Sequence, residues 1–143
     1  MSSFKAFDIA GSGMSAQSVR LNTTASNLAN AESVSSTPEG VYKARHPIFE
    51  AVRAQLALGA KAGEANANAA VRVRGIYETQ APAAQRYEPG NPLADANGYV
   101  YAPAVNAVEE MVNMISASRS YQNNVEVMNT SKDLLLATLR LGQ

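Results

Sequence analysis

Ile9-Ala10-Gly11-Ser12-Gly13-Met14-Ser15-Ala16-Gln17-Ser18-Val19-Arg20-Leu21-Asn22-Thr23-Thr24-Ala25-Ser26-Asn27-Leu28-Ala29-Asn30 is the stretch that decides the fold. With Phe7 just ahead of it, Met14, Leu21 and Leu28 put a large apolar side chain at every seventh position, the spacing that keeps a stripe on one side of an α-helix. The residues between are unusual for a helix. Half of the 22 are Gly, Ser, Thr or Asn, and Arg20 is the one charge, whereas a helix on a globular core carries charge on its solvent side. Alone in water such a helix is marginal. A polar but uncharged surround points to close packing against other chains, hence to a polymer or a tight oligomer.

At the other end of the chain a second helical pattern begins at Asn106, which with Glu109 three residues on reads as an N-cap and its reciprocal acid, and it stops at Gly142. Met114, Tyr121, Met128 and Leu135 form one seven-residue series, and Met111, Val125 and Leu139 belong to a neighbouring one that Ser118 and Lys132 interrupt. A helix of about 35 residues is roughly 50 Å long, more than a domain of this size covers. Its natural partner is the N-terminal helix. The spacing therefore predicts an α+β fold: a long antiparallel coiled coil of the N- and C-terminal helices, with a small β-rich insert at its far end. The helical part comprises residues 1–35 and 104–143, and the insert residues 36–103.

Within the insert, Pro38-Glu39-Gly40 is turn chemistry, and residues 41–49 read as extended with Pro47 at an edge or a strand end. Residues 51–58 fit a strand or a short helix equally. Residues 59–70, rich in Ala, Gly and Asn with Lys61 and Glu64 among them, read as a flexible loop joining two strands. Val71-Arg72-Val73-Arg74 alternates apolar and charged residues, then breaks at Gly75 as a bulged strand would. Asn97-Gly98 ahead of Tyr99-Val100-Tyr101 is a hairpin-turn signal.

Composition excludes most chemistry. Across 143 residues, 12 basic side chains balance 12 acidic ones, so no net field exists to hold a nucleic acid. Without cysteine, and with His46 as the sole histidine, disulfides, thiol nucleophiles and Cys/His metal sites are absent. No carboxylate is placed by sequence to orient His46. Glu109-Glu110, the one adjacent acidic pair, is explained by the dipole at the start of the second helix. Gly11-Ser12-Gly13 lacks the Lys-Ser/Thr of a phosphate loop and reads as small residues for close helix approach. No enzyme, cofactor or metal site is expected. No window nears the ~20 apolar residues of a membrane span, and the N-terminus lacks a basic then apolar leader, so no membrane insertion is expected and any export would proceed without a cleaved signal peptide.

The run from Gly11 to Asn22, followed by Ala25-Ser26-Asn27-Leu28-Ala29-Asn30, resembles the N-terminal signature of the bacterial flagellar basal-body rod protein family. The segments Val108-Glu109-Glu110-Met111-Val112-Asn113-Met114 and Asn124-Val125-Glu126-Val127-Met128-Asn129-Thr130 resemble the same family's C-terminal signature. The short length and the Tyr87-Glu88-Pro89-Gly90-Asn91-Pro92 segment look most like its proximal rod members. The resemblance implies a non-enzymatic structural subunit of the periplasmic rod, exported through the flagellar type III apparatus and polymerising around the export channel to help pass torque from motor to hook. Its implied partners are further copies of itself, other proximal rod subunits, a FliE-type adapter at the base and the distal rod. The expected assembly residues are Phe7, Met14, Leu21 and Leu28 on the first helix, and Met111, Met114, Tyr121, Val125, Met128, Leu135 and Leu139 on the second. Three other readings stay open: another flagellar axial protein, a soluble coiled-coil adapter forming a closed oligomer, and a small ligand-binding or hydrolytic insert.

Overall fold

The computed structural model describes residues 3–53 and 69–141. The order is helix α1 (Ser3–Ala29), strands β1 (Arg45–Arg53), β2 (Ala69–Glu78), β3 (Ala84–Tyr87) and β4 (Tyr99–Ala102), and helix α2 (Ala107–Leu141). The short turn Pro38–Gly40 lies between α1 and β1.

The two helices form the most extensive contact of the fold and run antiparallel. Gly11 faces Met128 and Gly13 faces Asn124, while Arg20 Nη2 donates to Asn113 Oδ1 at 3.1 Å and Asn27 Nδ2 donates to Glu110 Oε2 at 3.2 Å. The α2 partner number thus falls as the α1 number rises. Since α2 has 35 residues against 27 in α1, the last turns of α2 run past the described start of α1, and Leu136 and Leu139 are exposed there.

Small residues bring the helices together. A Cβ on Gly13 would lie 2.9 Å from Asn124 Nδ2, so the Asn124 amide sits in the space that the glycine leaves and would have to shift for a larger residue. Ala10, Ala16, Thr24 and Ala117 are buried along the helices. Thr23, also buried, satisfies its hydroxyl on the carbonyls of Val19 and Arg20. The largest fully buried side chains among the described residues are Val100 and Asn27. Such a core contributes little: full burial of a Leu- or Phe-sized side chain is worth about 1.5–3 kcal/mol, and among the described residues the large apolar side chains other than Val100 are half-buried or exposed.

Asn106 caps α2 through Oδ1, which accepts from the backbone N–H groups of Val108 (3.0 Å) and Glu109 (3.3 Å). Among the described residues Glu109 returns no such bond, so the cap is one-sided rather than the reciprocal box that the spacing suggests. Gly142 and its helix stop lie outside the described residues, as do residues 54–68, which hold most of the expected loop 59–70 and the ambiguous end of 51–58. Ala69 and Ala70, assigned to that loop by composition, are instead the first residues of β2.

The insert is not a single unit at the end of the helices. β1 and β2 form one antiparallel ribbon and β3 and β4 another. The first ribbon lies along α1: the Val71 N–H on the outer edge of β2 donates to Ser12 Oγ at 3.1 Å, while Arg45, at the other end of the ribbon, is bound to Asn27. The bond to Ser12 occupies one backbone donor on an edge that is otherwise open to strand pairing. Pro47 sits within β1 opposite Ile76, as an edge strand allows. The bulge falls at Arg74, one residue before Gly75, because the register passes from Ile48 opposite Gly75 to Phe49 opposite Val73. In the second ribbon, β3 and β4 are joined by a long connection rather than a two-residue turn. Asn97-Gly98 closes the Asp95–Gly98 turn inside it, with Gly98 at φ +83° and its N–H on the Asp95 carbonyl at 3.0 Å. A paired bridge between Ser35 and Tyr101 ties this ribbon to the segment leaving α1.

Candidate assembly site

Asn27 joins three parts of the molecule. Its Oδ1 accepts from Tyr42 Oη at 2.9 Å and from the Arg45 backbone N–H at 2.8 Å, while its Nδ2 donates to the Arg45 carbonyl at 2.9 Å and to Glu110 Oε2 at 3.2 Å. These four bonds use the full capacity of a side-chain amide. Asp would lose both donors, and Leu would lose everything. The side chain is 0% exposed and Glu110 5%, so the bonds form where water cannot replace them. Buried polar networks of this kind fix one arrangement when every member is satisfied. Here the arrangement is α1 against α2, with the start of the β1–β2 ribbon held on both.

The rest of the Ala25, Ser26, Asn27, Leu28, Ala29, Asn30 motif divides by face. Asn30 ends the helix: its Nδ2 donates to the Ser26 carbonyl at 2.8 Å, and its own carbonyl accepts from Ser33 Oγ at 2.7 Å. Ser26 and Leu28 are half-buried, and Ala25 and Ala29 are exposed. Arg20 is turned into the interface with α2 by its bond to Asn113.

Phe7, Met14, Leu21 and Leu28 are all half-buried in the single chain, as are Met114, Tyr121, Val125, Met128 and Leu135. Met111 and Leu139 are exposed. The innermost positions along α1 belong instead to Ala10, Ala16, Thr24 and Asn27. The heptad stripe therefore keeps apolar surface in reserve. Gln17 Oε1 is buried without a hydrogen-bond partner, alone in this among the buried side-chain polar atoms of the described residues.

Sequence reasoning missed Glu110, Tyr42, Asn113 and Asn124. The N-terminal position of Glu110 in α2 explained its charge well enough to hide its burial. Only the closeness of Gly13 to the opposite helix reveals Asn124. His46 is exposed, and no group of three or more His, Asp or Glu side chains able to hold a metal ion occurs among the described residues.

Two antiparallel helices from the two ends of the chain thus pack through small residues and leave a half-covered apolar stripe. The flagellar basal-body rod protein model matches residues 7–34, and the model for the C-terminal region of the flagellar basal-body rod FlgEFG proteins matches residues 96–141. The chain is 53% identical to the flagellar basal-body rod protein FlgC of Salmonella typhimurium over 96% of either sequence. It is 51% identical to that of Yersinia enterocolitica over the whole of both, and 42% identical to that of Aquifex aeolicus over 96% of each. The matches place it first among the flagellar rod proteins. More narrowly, the chain belongs to the FlgC family, and it is a structural subunit of the flagellar basal-body rod that associates with other rod components. No helix among the described residues is long and apolar enough to cross a membrane.

Proposed function

We propose that this subunit builds the proximal part of the rod, that its terminal helices are the polymerising element, and that the assembled helices surround the export channel and carry torque towards the hook. The observation behind this reading is the half-covered stripe of Phe7, Met14, Leu21 and Leu28, which falls within the segment matched by the rod-protein model. Apolar side chains left half-exposed on a long helix are satisfied by neighbours in a filament. A core built from alanine and small polar residues keeps the free chain weakly folded, which suits passage through the type III export apparatus. Adjacent rod subunits, an adapter at the base and the distal rod are its neighbours in this reading. No catalysis is required of it.

The test is complementation. Cells lacking this chain should form basal bodies without a complete rod and should not swim. Expression of the intact chain should restore both, and the chain should be present in isolated basal bodies. Complete rods in the deleted cells would refute the reading. A closed, stable oligomer of the purified chain with no rod defect would favour the soluble adapter instead.

A further inference from the structure

Asn97 is the one asparagine of the chain that is followed by glycine. With no side chain on the next residue, the Gly98 nitrogen is the least hindered backbone nucleophile that a side-chain amide can meet. The Asn97 side chain is exposed and makes no hydrogen bond among the described residues.

The fold holds the two reacting groups apart. Gly98 donates its N–H to the Asp95 carbonyl at 3.0 Å, and its carbonyl accepts from the Glu88 N–H at 2.9 Å. Asp95 Oδ1 accepts from the backbone N–H groups of Asn97 (2.8 Å) and Tyr99 (2.9 Å), so one carboxylate ties the chain on both sides of Gly98. A turn closed from Asp95 to Gly98, with trans peptides and no positive φ at Ala96 or Asn97, is type I, and in that class the third residue has ψ of about 0°. The Gly98 nitrogen then eclipses the Asn97 backbone nitrogen and stands about 120° from Cβ around the Cα–C bond. Attack on the amide carbon needs it alongside Cβ. Reaching that position breaks the bond to Asp95 and lifts Gly98 from its seat, where an added Cβ would lie 3.0 Å from Tyr87 and 3.2 Å from Pro89.

We propose that Asn97 is a self-modification site, deamidating through a cyclic imide with Gly98, and that the Asp95 turn locks it while the chain is folded. When the turn opens, the Gly98 nitrogen gives its proton to hydroxide and bonds to Asn97 Cγ. The Cγ–Nδ2 bond breaks, and the amide nitrogen leaves as ammonia with a proton from water. Water then opens the imide at either C–N bond. Opening at Cγ leaves an aspartyl side chain at position 97 and one added negative charge. Opening at the backbone carbonyl instead routes the chain through Cγ, one carbon longer. That longer link no longer fits between Asp95 and Tyr99, whose backbone bond at 2.8 Å leads into β4 and fully buried Val100. A subunit that waits unfolded ages at this bond, and one that folds is spared. The inference stands apart from the rod-subunit reading.

The test compares the purified full chain at mildly alkaline pH in buffer and in guanidinium chloride, with conversion at each asparagine followed by peptide mass spectrometry and isoaspartyl product by enzymatic methylation. Asn97 should convert first in denaturant, and at least about tenfold more slowly in the folded chain, where only local opening exposes it. Asp95→Ala should raise the rate in buffer at least about threefold while leaving the rate in denaturant unchanged. Asp95→Asn keeps an Oδ1 acceptor and should stay slow. Equal rates for the native chain in buffer and denaturant, or another asparagine converting first in denaturant, would overturn the proposal. So would an Asp95→Ala chain with native helical dichroism that converts as slowly as the original. Were Asp95→Ala unfolded, the comparison of the native chain in the two solvents decides alone.

Discussion

Asn27 and Glu110 meet at 3.2 Å in a region closed to solvent, and through them α1, α2 and the entry to β1 share one hydrogen-bonded junction. The β1–β2 ribbon is therefore bonded to α1 at two separate points, Asn27 with Arg45 and Ser12 with Val71. Asn27→Ala leaves the Arg45 backbone groups and the Glu110 carboxylate short of partners. Each buried group stranded in this way costs about 1–3 kcal/mol. Urea unfolding of the purified chain should show a loss of at least about 2 kcal/mol. Asn27→Asp should lose at least as much, because it sets a second carboxylate against Glu110. A loss below about 0.5 kcal/mol in either variant would contradict the junction.

Gly13 and Asn124 allow a double-mutant cycle. Gly13→Ala gains helix propensity of up to about 1 kcal/mol, but its methyl meets Asn124, which is itself held by a bond from its Nδ2 to the Ser120 carbonyl at 2.9 Å. In the native background the gain should be largely or wholly lost. With Asn124→Ala in place, the same change should stabilise the chain by several tenths of a kcal/mol to about 1 kcal/mol. Equal effects in the two backgrounds, read from thermal unfolding, would show that the helices do not approach as closely as described.

Gln17 Oε1 is a buried acceptor without a donor. Gln17→Met keeps the volume and removes the stranded oxygen, so the free chain should gain about 1 kcal/mol. If swimming falls while stability of the purified chain rises, the oxygen serves a neighbouring subunit. If stability falls, Gln17 has a partner within the chain.

With Val100 and Asn27 as the largest fully buried side chains among the described residues, the terminal helices of a lone subunit should be folded but only modestly protected against amide exchange, far less than in the rod. In assembled rods the segments at residues 15–29 and 108–128 should gain protection of at least a hundredfold. Protection already near its final level in the dilute chain would contradict ordering on assembly.

Much of this fold is written in its spacing. Seven-residue recurrence marks both helices within a few residues of their observed ends, since the apolar stripe is carried by Phe7, Met14, Leu21 and Leu28 whatever lies between. The position of the β1–β2 ribbon is not legible. Its attachment runs through Ser12 Oγ and Asn27, single polar side chains in a helix already rich in both types. Asn97-Gly98 shows the complementary limit: the turn is real, with Gly98 at positive φ, yet it closes a turn inside a loop and not the hairpin itself. The motif around Asn27 marks the right residues, and only the structure separates the buried junction at Asn27 from the exposed faces of Ala25 and Ala29.

The most direct test of the central claim is the state of basal bodies from cells whose only copy carries Leu21→Asp or Leu28→Asp. Each change puts a carboxylate into the half-covered stripe that neighbours are to bury, at a cost of several kcal/mol if it stays unpaired. Electron microscopy should show basal bodies without a complete rod, in non-swimming cells that still produce the chain. Full-length rods and normal swimming with either substitution would contradict assembly through the terminal helices.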